Sequence, residues 1–365
     1  MYQPATAVLL LEDGTIFYGR AIGATGTTVG ELCFNTGMTG YQEVFTDPSY
    51  RGQIVVTTHT HIGTYGVQPD EAESDAVQIA GLVVRNFSDI YSRATATQSL
   101  QAYLAAHQRV GIADVDTRQL VRHIRAHGAM NAVLSSEILQ PELLRQRLAA
   151  HPAMDGLELA SEVSTPTPYD VNPEGRHRVA VLDFGLKRNI LRSLTARGCA
   201  LRVYPHNTAW AEIAAWAPHG LLLTNGPGDP AAMPQAVATV TAALAAEELP
   251  IFGICMGNQI LGRAAGIGTY KLRFGHRGLN HPVMHLPTGR AEITSQNHGF
   301  ALSEAETEAH PGVEITHRHL NDNTVAGIAL KGRKTPAFAV QYHPESNPGP
   351  HDSRYLFDRF VDALR

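Results

Sequence analysis

The feature that most limits how this chain can fold is the stretch Leu249-Pro250-Ile251-Phe252-Gly253-Ile254-Cys255-Met256-Gly257-Asn258-Gln259-Ile260-Leu261-Gly262. An apolar run of the kind that forms a buried strand stops at a cysteine with a glycine two residues away on either side, and a helix follows. Gly-x-Cys-x-Gly is the cysteine form of a nucleophile elbow, a strained strand-to-helix turn whose neighbours must be small because their backbones nearly collide. At a helix N-terminus, unpaired N–H groups and the positive end of the dipole favour thiolate over thiol. Short glycine patterns also recur by chance, and a buried cysteine at a glycine-rich turn is the plain alternative.

The remainder of the second half fits a fold that can carry such a turn. From Arg178 strands at 179–183, 200–204 and 221–224 alternate with helices at 187–197, 209–216 and 236–247 before the run into Cys255. That alternation means an α/β fold with a mostly parallel central sheet flanked by helices. Ligands in such sheets collect at the carboxyl ends of the strands. Cys255 lies there, as does the loop Asn225-Gly226-Pro227-Gly228-Asp229-Pro230, whose N–H groups can face a developing oxyanion. As a phosphate loop it lacks the Gly-Lys-[Ser/Thr] ending. Near the end, the apolar run 337–342 leads into His343-Pro344-Glu345. Residues two apart in extended backbone share a face, so His343 and Glu345 point the same way, a base and the carboxylate that orients it. One histidine among 18 carries little weight alone. Joined to the elbow and the glycine loop on one α/β pattern, it makes a cysteine-nucleophile acyl transferase the expected chemistry.

A length of 365 residues predicts two domains: an N-terminal mixed β/α domain at 1–160, a Ser/Thr/Pro-rich linker at 161–176 and a C-terminal domain at 177–365. Residues 5–11 and 15–19 flank Glu12-Asp13-Gly14 as a hairpin; further strand runs lie at 52–58 and 78–84, and helices at 97–107, 116–127 and 141–150. The polar, glycine-dense stretch between strands at 35–50 is consistent with a binding loop and equally with ordinary turn chemistry. Helix 116–127 carries Arg118, Arg122 and Arg125 on one face, either solvated or docked against an acidic partner. With 17% charged residues and a net charge of −5, nothing points to nucleic acid or to a membrane surface. No run reaches membrane-spanning length, and the first residues lack a basic leader. Cys33, Cys199 and Cys255 are too few and too scattered for a disulfide framework or a zinc site, which fits a reducing cytoplasm.

Residues 253–259, the loop 225–230 and His343-Pro344-Glu345 together resemble the class I (triad) glutamine amidotransferases. The stretches 34–43, 46–50, 112–118, 274–283 and Gln296-Asn297-His298-Gly299-Phe300 narrow this to the small, glutaminase subunits of carbamoyl-phosphate synthase. The likeness runs from the first hairpin to residue 352 and includes an N-terminal domain that most triad amidotransferases lack. It implies that Cys255 is the nucleophile, His343 the acid/base and Glu345 its orienting partner, with the Gly226 and Met256 N–H groups at the oxyanion positions. L-Glutamine is then held by Ser49, Gly226, Gly228, Met256, Gln259, Asn297, Gly299 and Phe300, with Ser49 reaching across from the N-terminal domain. The resemblance further implies a heterodimer with a large subunit that receives ammonia through a channel. That subunit uses ATP and Mg2+ to make carbamoyl phosphate from bicarbonate, for arginine and pyrimidine biosynthesis. No cofactor or metal is expected in the small chain itself.

Two positions depart from the pattern: Asn258 stands where many triad amidotransferases have histidine, and Gly37 where some relatives have serine. Neither falls on the three catalytic roles, although Asn258 adjoins the glutamine site. His276, His281 and His298 fit no common zinc spacing and are read as structural or substrate-shaping. Two rival readings are a stand-alone cysteine hydrolase, disfavoured by the N-terminal loops, and a catalytically silent scaffold subunit, disfavoured by the intact Cys255, His343 and Glu345.

Overall fold

Ala7–Leu11 contains no polar residue and is buried at every position, so both of its faces must be covered. In the computed structural model, which describes residues 6–364, this strand belongs to a closed barrel. The strands run in the order Ala7–Leu11, Ile16–Gly23, Val110–Ala113, Gly81–Val83, Gln53–Thr57, Thr27–Asn35 and Met130–Ser135, the last pairing back on the first. Thr27–Asn35, Gln53–Thr57, Gly81–Val83 and Val110–Ala113 are mutually parallel neighbours, and the remaining pairs are antiparallel. Alternation along the strands splits the core: Leu9, Leu32, Ile54 and Leu134 cluster with Leu120 and Ile124 of helix Thr117–His127. Val8, Leu10 and Val133 cluster instead with Leu144 and Leu148 of helix Pro141–Ala149. Barrel closure leaves no sheet edge exposed to foreign pairing.

This N-terminal unit extends to Met154 and includes Arg273–Arg277; the second unit comprises Asp155–Leu272 and the residues from Gly278 onward. The second unit is a ten-stranded sheet with Tyr169–Val171, Cys199–Pro205, His177–Asp183, Gly220–Leu223, Ile251–Ile254 and Ala337–Val340 on one side. Val325–Leu330, Val313–His319, Thr269–His285 and Arg290–Leu302 continue it. Its core is parallel from Cys199–Pro205 to Ala337–Val340. Antiparallel strands extend both sides of that core. Helices cover the two faces with separate apolar sets. Leu182, Leu221 and Leu223 meet Val240, Ile260 and Leu261, while Val181, Leu222 and Phe252 meet Ile190, Leu194, Phe357 and Phe360.

The α/β class and the strand–helix alternation from Arg178 are as expected, with bounds shifted by a residue or two. Residue 5 of the expected hairpin lies outside the described residues. The 161–176 stretch contributes a strand, Tyr169–Val171, antiparallel to Cys199–Pro205. Its shortness and polar composition hid it, because an edge strand needs only one hydrogen-bonded neighbour. Among the described residues no helix is long and apolar enough to cross a membrane.

Phe252 is fully buried on the strand that leads to Cys255, with its ring 4.7 Å from that of Phe338 and 5.7 Å from that of Phe357. Phe252→Ala is therefore expected to destabilise the protein by about 3–5 kcal/mol. Urea denaturation monitored by circular dichroism measures it; a loss below about 1 kcal/mol would show that this ring stack is not part of the core that holds the turn.

Candidate active site

The chain must pass from strand Ile251–Ile254 to helix Met256–Ala264 within a single residue. Cys255 N–H donates to the Val340 carbonyl at 2.9 Å, extending the strand pairing, and the Cys255 carbonyl then accepts from the Asn258 N–H at 3.0 Å. Between those bonds Cys255 adopts φ 56°, ψ −102°, a conformation that costs a non-glycine residue roughly 1–3 kcal/mol and persists only where the surroundings enforce it. The flanking glycines show how. A Cβ at Gly253 would lie 2.6 Å from the Gly257 carbonyl oxygen, and one at Gly257 would overlap the Leu223 carbonyl. Gly257 N–H donates to the Thr224 carbonyl at 2.9 Å, which binds the start of the helix to the strand feeding the 225–230 loop.

That loop is held just as closely. A Cβ at Gly226 would overlap the Phe184 carbonyl, and Gly228 has φ 87° with its Cβ position 2.6 Å from the Leu157 oxygen. The Asp229 carboxylate accepts N–H bonds from Ala231 and Gly156, each at 2.8 Å. Among the described residues, the Gly226 and Met256 N–H groups have no protein acceptor.

His343 and Glu345 follow strand Ala337–Val340. His343 N–H donates to the Ser295 carbonyl at 2.9 Å, and its Nδ1 lies 2.7 Å from Glu345 Oε1. Its Nε2 is buried without a hydrogen-bond partner among the described residues. Glu345 Oε1 also accepts from Lys187 Nζ at 2.9 Å, and that ammonium donates to the Ser346 carbonyl at 2.7 Å. Asn189 Nδ2 donates to the Glu345 carbonyl. Lys187 is 3% exposed and Glu345 is 0% exposed, so this charge pair is screened very little by water.

Burial alone would drive the His343 imidazolium to a lower pKa, but Glu345 and then Cys255 outweigh it and push the ring up to about 10. For Glu345, burial works upward, while Lys187 and His343 hold the carboxyl down at about 2. At neutral pH the pair is thus imidazolium and carboxylate. Burial pushes the Cys33 thiol up to about 12 and the Cys199 thiol up to about 11. All three cysteines are free.

Around Cys255, Sγ lies 3.5 Å from the Asn297 carbonyl and 3.8 Å from Gln341 Nε2. Gln341 Oε1 accepts from Asn258 Nδ2 and from Gln259 Nε2, each at 3.2 Å, and Gln259 Nε2 also reaches the Phe300 carbonyl at 2.7 Å. Asn258 is therefore buried against Gln341, with its Oδ1 lacking a partner among the described residues. The His298 ring nitrogens lie 2.7 Å from the Phe300 carbonyl and 3.0 Å from Gln296 Oε1, so both face protein acceptors. His281 Nδ1 lies 3.0 Å from His319 Nε2.

Gly226, Gly228, Cys255, Met256, Gln259, Asn297, Gly299, Phe300, His343 and Glu345 all belong to the second unit. Ser49 belongs to the N-terminal unit, in the turn Pro48–Tyr50, with its N–H donating to the Asp47 carboxylate at 2.9 Å. Gly37 belongs there too, with its N–H donating to Asn35 Oδ1 at 2.6 Å. Two participants went unnoticed in the sequence. Gln341 shares the two-residue spacing that paired His343 with Glu345, although the strand ends at Val340 and residues 341–345 form bends and a turn rather than the extended backbone expected. Lys187 offered only its place beyond the carboxyl end of strand His177–Asp183, because its partner is 158 residues away.

A cysteine on an elbow, next to a histidine held by a buried carboxylate, has the layout of a nucleophile, its base and the base's orienting group. Residues 180–363 match the class I glutamine amidotransferase family, and residues 9–134 match the CPSase domain of the carbamoyl-phosphate synthase small chain. The carbamoyl phosphate synthase small chain of Nostoc sp. is 50% identical over 98% of this chain and 95% of its own length. This chain belongs to the carbamoyl phosphate synthase small-chain family. Small chains from Synechococcus sp. and Chlorobaculum tepidum are 50% and 47% identical, covering 98% and 99% of this chain and 93% and 98% of their own lengths.

For this small chain the charge cluster sets a pH signature. The low pKa of Glu345 contributes stability that is complete above about 4.5 and fades as pH falls toward about 2. The raised pKa of His343 contributes stability that is complete below about 6.5 and fades as pH rises toward about 10. The stability lost in Glu345→Gln, measured by urea denaturation, should therefore be largest between about pH 4.5 and 6.5 and smaller on both sides. A loss that stays constant from acid to alkali would contradict the charge assignment.

Proposed function

We propose that this chain hydrolyses L-glutamine through Cys255, His343 and Glu345 and supplies the ammonia to a large chain that makes carbamoyl phosphate. The observation that carries this reading is the 2.7 Å contact from Glu345 to His343 beside a cysteine at φ 56° on its elbow. An imidazolium next to a cysteine favours the thiolate. Cys255 Sγ attacks the side-chain amide carbon of glutamine, and the carbonyl oxygen takes up negative charge opposite the N–H groups of Gly226 and Met256. His343 gives its proton to the amide nitrogen as the C–N bond breaks, which releases ammonia and leaves a γ-glutamyl thioester on Cys255. His343, now neutral, accepts a proton from the incoming water; the C–S bond breaks, and glutamate leaves.

Gly228, Gln259, Asn297, Gly299 and Phe300, together with Ser49 from the N-terminal domain, form the glutamine site in this proposal. Lys187 and Gln341 act as positioning residues, the first on Glu345 and the second on Gln259 and Asn258. The large chain is the partner in which ATP, Mg2+ and bicarbonate act, feeding arginine and pyrimidine biosynthesis in the cytoplasm. The name shared by the Nostoc, Synechococcus and Chlorobaculum relatives supports that division of labour.

Cys255→Ala, assembled with a matching large chain, should lose glutamine-dependent carbamoyl phosphate synthesis by about 10³-fold or more. Synthesis from added ammonium salt should remain near the unsubstituted rate. Loss of both activities together would refute the separation of ammonia production from its use.

A further inference from the structure

Helix Thr117–His127 turns Leu120 and Ile124 into the barrel core. Its opposite side carries Arg118, Arg122 and Arg125, all exposed. With Thr58, Thr60, Arg85, Asp116, Thr117 and Val121, these arginines line a cavity of about 430 Å³. The location is not arbitrary. Strands Gln53–Thr57, Gly81–Val83 and Val110–Ala113 are parallel neighbours, and Thr58, Arg85 and Asp116 each follow the carboxyl end of one of them. The carboxyl ends of adjacent parallel strands are where α/β sheets collect ligands.

The charge there is unbalanced. Four guanidinium groups face one carboxylate, and Asp116 is already accepting the Gln119 N–H at 2.9 Å as the helix cap. Among the described residues none of the four arginines forms an ion pair, whereas other arginines of the chain do, such as Arg202 with Asp170 and Arg197 with Asp358. Arg125 also stacks over the Phe274 ring, 5.9 Å from its centroid. The chain as a whole carries a net charge of −5, so this concentration of positive charge runs against the average. Arginine forks match phosphate oxygens in pairs, and threonine hydroxyls supply further donors. A volume of this size lies within the range of small-molecule sites, roughly 300–1,000 Å³. Arg118 and Arg125 are separated by about 10 Å along the helix axis, so an anion charged at more than one point can engage several of them.

We propose that this cavity is a binding site for a small phosphate-bearing polyanion. It is built entirely within the N-terminal unit and does not depend on the glutaminase reading. The test is isothermal titration of the full-length chain with inorganic pyrophosphate at fixed ionic strength, with chloride as the control salt. Saturable 1:1 uptake is expected. It should weaken about tenfold or more in Arg118→Ala/Arg122→Ala and less in the corresponding lysine variant, which keeps the charge but not the fork. Melting temperature and glutamate release from glutamine should stay unchanged. Arg85→Ala, which lies outside the helix, provides the same test should the double variant fold poorly. Absence of saturable uptake, or uptake indifferent to every arginine substitution, overturns the proposal. So does a variant that loses only its association with the large chain while neither protein takes up pyrophosphate, since the cavity is then a protein-docking face.

Discussion

The arrangement of the second unit depends on one close approach, that of Gly257 to the Leu223 carbonyl, where no side chain fits. With the two backbones in contact, the Gly257 N–H reaches the Thr224 carbonyl and the helix starts directly against strand Gly220–Leu223. Cys255 is left to absorb the change of direction at φ 56°. From the same point a run of hydrogen bonds leads toward the carboxylate. The Thr224 hydroxyl accepts from the Phe184 N–H and donates to the Asn225 carbonyl. Asn225 Oδ1 accepts from the Lys187 N–H, and Lys187 Nζ meets Glu345. The strained residue and the carboxylate partner of His343 are thereby fixed by one connected framework, so neither needs a long side chain searching for its position.

Electrostatic balance completes the picture. Removing Lys187, Glu345 and His343 from water is costly, and their mutual pairing, together with the Ser346 carbonyl that accepts from Lys187, offsets it. Lysine ammonium, glutamate carboxylate and imidazolium sum to one positive charge in a buried space. A thiolate on Cys255 brings that sum to zero, and so does the oxyanion formed once sulfur has bonded to a carbonyl carbon. In the proposed mechanism the site is therefore closest to neutrality in the states that carry the reaction, and negative charge that water would have to solvate in a free thiolate is met by groups already in place. Lys187 thus has an electrostatic part as well as a geometric one, because without it the carboxylate would be shared with no second cation.

Much of this was legible where the cause is local. The elbow shows in Gly253, Cys255 and Gly257 because the need for small residues is written at fixed spacing. Helix Thr117–His127 could be bounded from Asp116 and Gly128, since capping is decided within one turn. The two-residue spacing paired His343 with Glu345, although the strand ends at Val340 and a turn, not extended backbone, brings the two side chains together. What escaped was set by distant partners. Closure of the barrel depends on Met130–Ser135 meeting Ala7–Leu11, a pairing that no local pattern announces. The long strands Thr269–His285 and Arg290–Leu302 are rich in polar and histidine residues, so they lack the alternation that marks a half-buried strand. Arg273–Arg277 belongs with the N-terminal unit although it lies more than a hundred residues beyond the end of that unit's main segment.

The central claim is that Cys255 carries the substrate during turnover. Incubating the chain with carbon-labelled glutamine, quenching in acid and mapping the label by peptide mass spectrometry tests this most directly. The account predicts an acid-stable, base-labile γ-glutamyl group on the peptide containing Cys255, absent from Cys255→Ala. Glutamate release that proceeds in the unsubstituted chain with no label there, or with the label on another residue, would contradict it.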